Sequence, residues 1–230
     1  MPLSRIKAIA FDADDTLWVN ETLFREAERE FCVLMQDYLP ADRCNELLFA
    51  MEMKNLPLYG YGIKPFTLSL IEAAIEFSDG TVPIATIETL IARCKRMLEA
   101  PLELIDGIEE TLAVLSKKYR VVMATKGDLL DQERKLIKSG LEPYFHHIEI
   151  VSDKTEVHYQ KLVNHLDISV EEFLMVGNSV KSDILPVLAI GGHGFHIPFH
   201  TTWIHEIVKE PVEHPNFRLL SSATEMLELL

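Results

Sequence analysis

Basic residues are scarce in this sequence. Lys and Arg number 22 against 36 Asp and Glu, a formal net charge of -14. A field of that sign repels nucleic-acid phosphates and anionic lipid, so no nucleic-acid or membrane partner is expected, and any anionic substrate would need local cations. Cysteine is scarcer still: Cys32, Cys44 and Cys94 form no C-x-x-C pair and no Cys/His metal spacing. A disulfide framework is thereby excluded, and a reducing, cytoplasmic setting is expected with the three as small apolar fillers. No run of about 20 uncharged apolar residues occurs, and the first residues show no apolar stretch ending in a small-residue cleavage pattern. His193, His196 and His200 alternate, but they have no acidic or Cys cluster beside them to make a zinc site. The oligomeric state is not written in the composition.

The 230 residues are 48% hydrophobic and 25% charged, which suits a globular chain of one domain with a sizeable insertion. Ile6 to Phe11 is a short apolar run that leads into a polar loop, as a buried strand does. From about Glu21 to Leu104 the periodicity is helical, with pieces near Leu23 to Tyr38, Arg43 to Lys54, Phe66 to Phe77 and Ile84 to Leu98. Beyond Pro101 strands and helices alternate. Strands are expected at Arg120 to Ala124, His147 to Val151, Phe173 to Val176 and Gly194 to Ile197, with a possible strand at Phe217 to Leu219. Helices are expected at Ile108 to Lys118, Gln132 to Ser139, Glu156 to Leu166 and Lys181 to Ala189, with a short one after Thr202. The pattern implies an α/β protein, a parallel sheet with helices on both faces, interrupted after its first strand by a helical insertion. The expected division is a core of residues 1–17 and 105–230 and an insertion of residues 18–104.

In such a sheet ligands gather beyond the carboxyl ends of the strands, where loops and free N–H groups converge. Four of those ends are polar. Asp12 and Asp14 follow the first strand and can approach one ion, by a side chain and by a backbone carbonyl, in the all-oxygen setting that Mg²⁺ prefers. Thr125, with the amides of Lys126 and Gly127, can hold an anion's oxygens after the second strand, although Thr at such a place also serves as a helix cap. Lys154 stands at a helix start, a poor place for a cation unless an anion is near, with Lys161 as its competitor. Asn178 and Asp183 follow the fourth strand, and Asp183 is placed to complete an oxygen cage.

Taken together, Asp12-Ala13-Asp14-Asp15-Thr16, Thr125, Lys154 and Gly177-Asn178 with Asp183 resemble the four motifs of the haloacid dehalogenase-like hydrolases, in order, over Ile6 to about Ile197. The resemblance implies a Rossmann-like core with an inserted helical cap and a Mg²⁺-dependent phosphatase of small phosphorylated metabolites. It implies Asp12 as the nucleophile that becomes an aspartyl phosphate and Asp14 as the general acid and base. Thr125, Lys126 and Gly127 would bind the phosphoryl group, and Lys154 would be the positive charge between it and Asp12. Asp12, the Asp14 carbonyl, Asp183 and Asn178 would surround the metal. Two departures stand out. Asn178 occupies a place where relatives carry an acid, which predicts weaker Mg²⁺ affinity, and Thr155 follows the lysine where relatives often have Pro.

Within the insertion, Leu58 to Pro65 sets Tyr59, Tyr61 and Lys64 among two glycines and a proline. It is either a substrate-specificity loop that grips the leaving part of the substrate or a helix connection whose rings cover the bundle's end. Other readings use the same fold. A dehalogenase needs neither an acid two residues after the nucleophile nor a metal cage. A phosphonatase would need a Schiff-base lysine such as Lys54 or Lys64, and a phosphomutase would pass the phosphoryl group on. A phosphate-sensing or protein-binding module would not need to retain Asp12.

Overall fold

The computed structural model describes residues 3–230; Met1 and Pro2, at the start of the expected core, lie outside the described residues. Four consecutive apolar residues form β1 (Ala8–Phe11), all of them buried, as a strand covered on both faces requires. Five more strands join it: β2 (Arg120–Lys126), β3 (His147–Val151), β4 (Phe173–Gly177), β5 (His193–His196) and β6 (Phe217–Leu219). The sheet is parallel throughout, in the order β3-β2-β1-β4-β5-β6. β1 is its centre, with Ala8 opposite Arg120 on one side and Phe173 on the other.

The two-residue period of the strands sorts their side chains onto two faces. Ile9, Phe11, Val121, Met123, Leu174, Val176 and Phe195 pack on one face with Ile108 and Leu112 of α5 (Ile108–Leu115), Leu136 of α6 (Leu129–Ser139) and Met226 of α9 (Met226–Leu229). Ala8, Ala10, Val122, Ala124, Phe173 and Met175 pack on the other with Tyr159, Leu162 and Val163 of α7 (Glu156–His165) and Val187 of α8 (Leu185–Ala189). Truncating a side chain as central as Phe11 to Ala would cost about 3–5 kcal/mol. The α/β class, with a parallel sheet flanked by helices and a helical insertion, is what the alternation of elements predicts.

By internal packing the chain divides into two compact units. The sheet unit comprises Met1–Glu21, Leu102–Lys126 and Gln132–Leu230, and the helical unit comprises Thr22–Pro101 with Gly127–Asp131. The helical unit is built on α1 (Glu21–Leu34), α2 (Ala41–Tyr59), α3 (Ile63–Phe77) and α4 (Ile84–Glu99). Its core holds Phe31, Met35, Leu48, Ile63 and Leu70, and Cys32 and Cys44 are buried among them as free thiols.

Two elements differ from the sequence pattern. α2 runs past Lys54 to Tyr59 and includes Pro57 in its final turns, so only Gly60, Tyr61 and Gly62 separate it from α3. The single helix expected over Lys181 to Ala189 begins instead as a wide turn, Val180–Ile184, before α8. There the Ser179 hydroxyl accepts the Ser182 amide at 3.0 Å, and Pro186 lacks the N–H that a continuous helix would use. Among the described residues no helix is long and apolar enough to cross a membrane.

Candidate active site

The parallel order of β2, β1 and β4 brings three strand ends side by side. Asp12 prolongs β1 by one residue and donates its amide to the Val176 carbonyl at 2.9 Å, which fixes its backbone at the carboxyl end of the central strand. Its side chain is buried and meets the ammonium of Lys154, which is buried as well and also donates to Asp183 Oδ1 at 2.7 Å. The second Asp183 oxygen accepts the Ser179 amide at 3.0 Å. One lysine thus bridges two carboxylates that the sequence sets 171 positions apart. Lys161, its competitor in the sequence, lies exposed on α7.

Charge balance governs this cluster. Burial and the neighbouring Asp183 carboxylate push the Asp12 carboxyl up, against the pull of Lys154. Burial also works against the charge on Lys154, but Asp12 and Asp183 outweigh it and hold the ammonium on. Two carboxylates against one ammonium leave a negative surplus in a buried place, and deleting one partner of such a set typically costs about 3–5 kcal/mol.

Gly177, the last residue of β4, makes room for the arrangement. A Cβ there would stand 2.2 Å from Asp183 Oδ2 and 2.4 Å from its Cγ, closer than atoms can approach. Only a residue without a side chain lets Asp183 lie across the strand end.

Asn178 follows, with its amide donating to Thr16 Oγ1 at 3.1 Å and its carbonyl meeting His196 Nε2 at 3.0 Å. Its carboxamide presents one end to Asp12 Oδ2 at 3.1 Å and to the Asp14 carbonyl at 3.2 Å. With nitrogen in that place the amide donates to both. With oxygen there, three oxygens converge, an arrangement that needs a cation to hold it. Among the described residues no three His, Cys, Asp or Glu side chains form a metal-like group. With the Asn178 oxygen in that place, the set is one carboxylate, one carboxamide and one backbone carbonyl, which suits a hard divalent ion.

Thr125, near the end of β2, is buried, and its hydroxyl accepts Gln132 Nε2 at 3.0 Å. Lys126 turns its side chain away from an anion's reach. It pairs with Glu206 and donates to Ser182 Oγ at 2.9 Å, and Glu206 in turn accepts from Ser179 and, at 2.6 Å, from Ser182. Burial opposes charge on Glu206, but Lys126 and the two hydroxyls hold its carboxyl down to about 2. Gly127 comes next with φ of 144°, a backbone state that side chains disfavour.

The remaining acids of the first loop have separate tasks. Asp14 accepts Trp18 Nε1, Gln132 Nε2 and Lys135 Nζ. Asp15 is a structural residue. It takes φ of 61°, accepts the Asn20 amide at 2.8 Å and the Glu21 amide at 3.1 Å, and so caps the start of α1. Burial pushes its carboxyl up to about 8 despite those two donors.

Residues 6–191 match the family model of haloacid dehalogenase-like hydrolases. The chain belongs to that family. A haloacid dehalogenase-like hydrolase from Xanthomonas campestris shares 37% of its residues over 96% of this chain and 88% of its own, with a TM-score of 0.86. Among curated proteins, the glyceraldehyde 3-phosphate phosphatase of Pyrococcus furiosus is 27% identical over 82% of this chain and 79% of its own. Human N-acylneuraminate-9-phosphatase is 23% identical over the whole of this chain and 96% of its own. The protein is therefore a hydrolase of the haloacid dehalogenase-like family, the phosphatase and dehalogenase group that acts on small metabolites.

Within this hydrolase the three residues of the expected specificity loop are differently placed. Tyr59 lies in the last turn of α2, exposed, with its hydroxyl on Glu72; Lys64 lies in the first turn of α3 and pairs with Asp128 at 2.7 Å. Tyr61 alone stays in the connection between the helices. Four site residues escaped the sequence reading. Gln132 and Lys135 stand three apart on α6, a spacing that puts them on one helix face, and Trp18 follows Asp14 by four. Glu206 ends a one-turn helix after β5, Ile204–Glu206, which is too short for periodicity to mark it.

Proposed function

We propose that this hydrolase is a Mg²⁺-dependent phosphomonoesterase of small phosphorylated metabolites that works through an aspartyl phosphate on Asp12. The observation that carries the reading is the placement of Lys154 on Asp12 and Asp183, with Asn178 and the Asp14 carbonyl turned to the other oxygen of Asp12. One carboxylate oxygen is thereby tied to a fixed cation while the other faces an oxygen-lined place.

Asp12 supplies the nucleophilic oxygen. Its bond to phosphorus forms as the bond from phosphorus to the leaving oxygen breaks, and Asp14 gives that oxygen a proton. In the second half Asp14 takes a proton from water as the water oxygen displaces Asp12 from phosphorus. Lys154 offsets charge where the carboxylate meets the phosphoryl group, and Thr125 with the amides of Lys126 and Gly127 holds phosphoryl oxygens. Asp12, the Asp14 carbonyl and Asn178 would hold Mg²⁺, and Asp183 supports the set through Lys154. The ion would supply two positive charges to a cluster that is negative without it, which lets an anionic substrate approach. Glyceraldehyde 3-phosphate phosphatase and N-acylneuraminate-9-phosphatase, by name, act on small phosphorylated compounds, which supports the substrate class. Of the two lysines nominated for Schiff-base chemistry, Lys54 and Lys64, Lys64 is engaged by Asp128.

Hydrolysis of 4-nitrophenyl phosphate with Mg²⁺ and with a chelator tests the proposal. Turnover that needs Mg²⁺ and falls at least about 10³-fold in Asp12→Asn is the expected result. Turnover of a 2-haloacid in place of the ester would select the dehalogenase reading.

A further inference from the structure

The Asp14 carboxylate is gripped from both of its oxygens. Oδ1 accepts Trp18 Nε1 at 2.7 Å and Lys135 Nζ at 2.9 Å, and Oδ2 accepts Gln132 Nε2 at 3.0 Å. Lys135 is itself tied to Asn20 Oδ1 at 2.8 Å, so its long side chain is held by Asn20 as well as by Asp14. Gln132 is buried and spreads its amide hydrogens over Asp14, Thr125 Oγ1 and the Lys126 carbonyl, yet its own Oε1 has no hydrogen-bond partner. A buried acceptor left unsatisfied is unfavourable, and an apolar side chain of like size would avoid it. Its donors at the site are what this glutamine supplies.

We propose that Lys135 and Gln132 are positioning residues that hold Asp14 in the orientation from which it gives and takes the proton. The inference rests on the phosphatase reading above. Proton transfer depends steeply on alignment, and a carboxylate held at both oxygens cannot rotate away from the leaving atom. When the phosphorus–oxygen bond of the ester breaks and the new bond to Asp12 forms, the proton of Asp14 passes to the departing oxygen, and the carboxylate left behind is what Lys135 and Gln132 bind. A contact of that kind strengthens toward the transition state. Lys135 bonds Asp14 and Asn20, whereas Gln132 links Asp14 to Thr125.

The choice of ester separates these roles. A 4-nitrophenolate leaves readily without a proton, and a simple alkoxide does not. The value of kcat/KM reports the steps up to cleavage of the ester bond. In Lys135→Met, kcat/KM should fall about tenfold or more for an alkyl phosphate and stay within about twofold for 4-nitrophenyl phosphate. Release of nitrophenolate should also acquire a pre-steady-state burst, because the water step still needs Asp14. Gln132→Met should lose on both esters, and more on the alkyl one. Lys135→Arg, which keeps charge and donors, should hold the wild-type ratio of the two esters within about twofold, and Lys135→Gln takes the place of Lys135→Met if the latter does not fold. Equal losses on both esters, or none, in folded Lys135→Met or Lys135→Gln would overturn the inference while an inactive Asp12→Asn leaves the phosphatase reading standing. If Asp12→Asn stays active, the phosphatase reading itself fails.

Discussion

The strand ends of the sheet unit and the helix junction of the helical unit use polar residues in opposite ways. Asp12, Thr125, Lys154 and Asp183 at the strand ends, with Gln132 of α6 beside them, are all buried, and Gln132, Lys154 and Asp183 each serve two or more partners. At the helix junction Tyr59 and Lys64 are exposed, and the contacts they make, to Glu72 and Asp128, lie at the surface. Buried charges are costly unless every member is paired, so a change among the first group disturbs a network. An exposed pair is worth little, typically about 0–1 kcal/mol, so a change there is felt by whatever the residue touches and hardly by the fold. The chemistry is fixed by the first arrangement, and variation is tolerated by the second.

The sharpest break of this contrast, after Asp12→Asn, is Gly177→Ala. Its methyl group would displace Asp183 and through it Lys154, and activity should fall about 10²-fold, since displacements near 1 Å at a reacting centre cost that much. A far milder loss, measured with 4-nitrophenyl phosphate, would show that the Asp183 contact is dispensable.

Glu206→Gln tests stability instead of rate. With its carboxyl at about 2 in place of the usual 4.5, Glu206 favours the folded state by about 3 kcal/mol once ionised. That contribution is complete above about pH 4.5 and fades as the pH falls toward about 2, because protons then bind more readily to the unfolded chain. The variant should therefore be less stable than wild type at pH 7 by about this amount, with the gap narrowing at pH 3. Denaturant titrations at the two pH values read it, and a gap that does not depend on pH would remove the ion pair from the account.

Asn178→Asp is a smaller change that tests the oxygen-lined place directly. A second carboxylate facing Asp12 should lower the Mg²⁺ concentration for half-maximal activity about tenfold. It should also make thermal stability more dependent on Mg²⁺, since without the ion two like charges face each other. No change in either measure would mean that Asn178 does not face the ion. The smallest effect is expected at the helix junction, where Lys64→Ala should raise KM a few-fold with kcat unchanged and shift stability by less than about 1 kcal/mol. Unchanged kinetics would leave Lys64 as a surface ion pair and nothing more.

Much of the sheet unit is legible in the sequence, because its signals are local. Ile6 to Phe11 reads as buried strand and the polar residues at four strand ends mark where ligands gather. What is not legible depends on approach in space. Gly177 reads as an ordinary glycine until Asp183 is seen lying against it. Gln132 and Lys135 read as the polar face of an amphipathic helix, which is normally the solvated side. Glu206 ends a one-turn helix far along the chain, and only folding brings it to Lys126. In the helical unit the period of 3.6 residues gives the helices, but Pro57 hides the true end of α2, because a proline near a helix end removes one donor without stopping the turn.

The central place of β1 has a consequence for biosynthesis. Its register partners begin at Arg120 and Phe173, so this apolar strand leaves the ribosome well before either neighbour exists. At about 5–20 residues per second it waits on the order of ten seconds with both edges open. The helical segment that follows is made in that interval and can bury its own apolar faces, while the strand that leads into Asp12 stays open to wrong partners. A nascent chain stalled before Phe173 would be the form most in need of a chaperone.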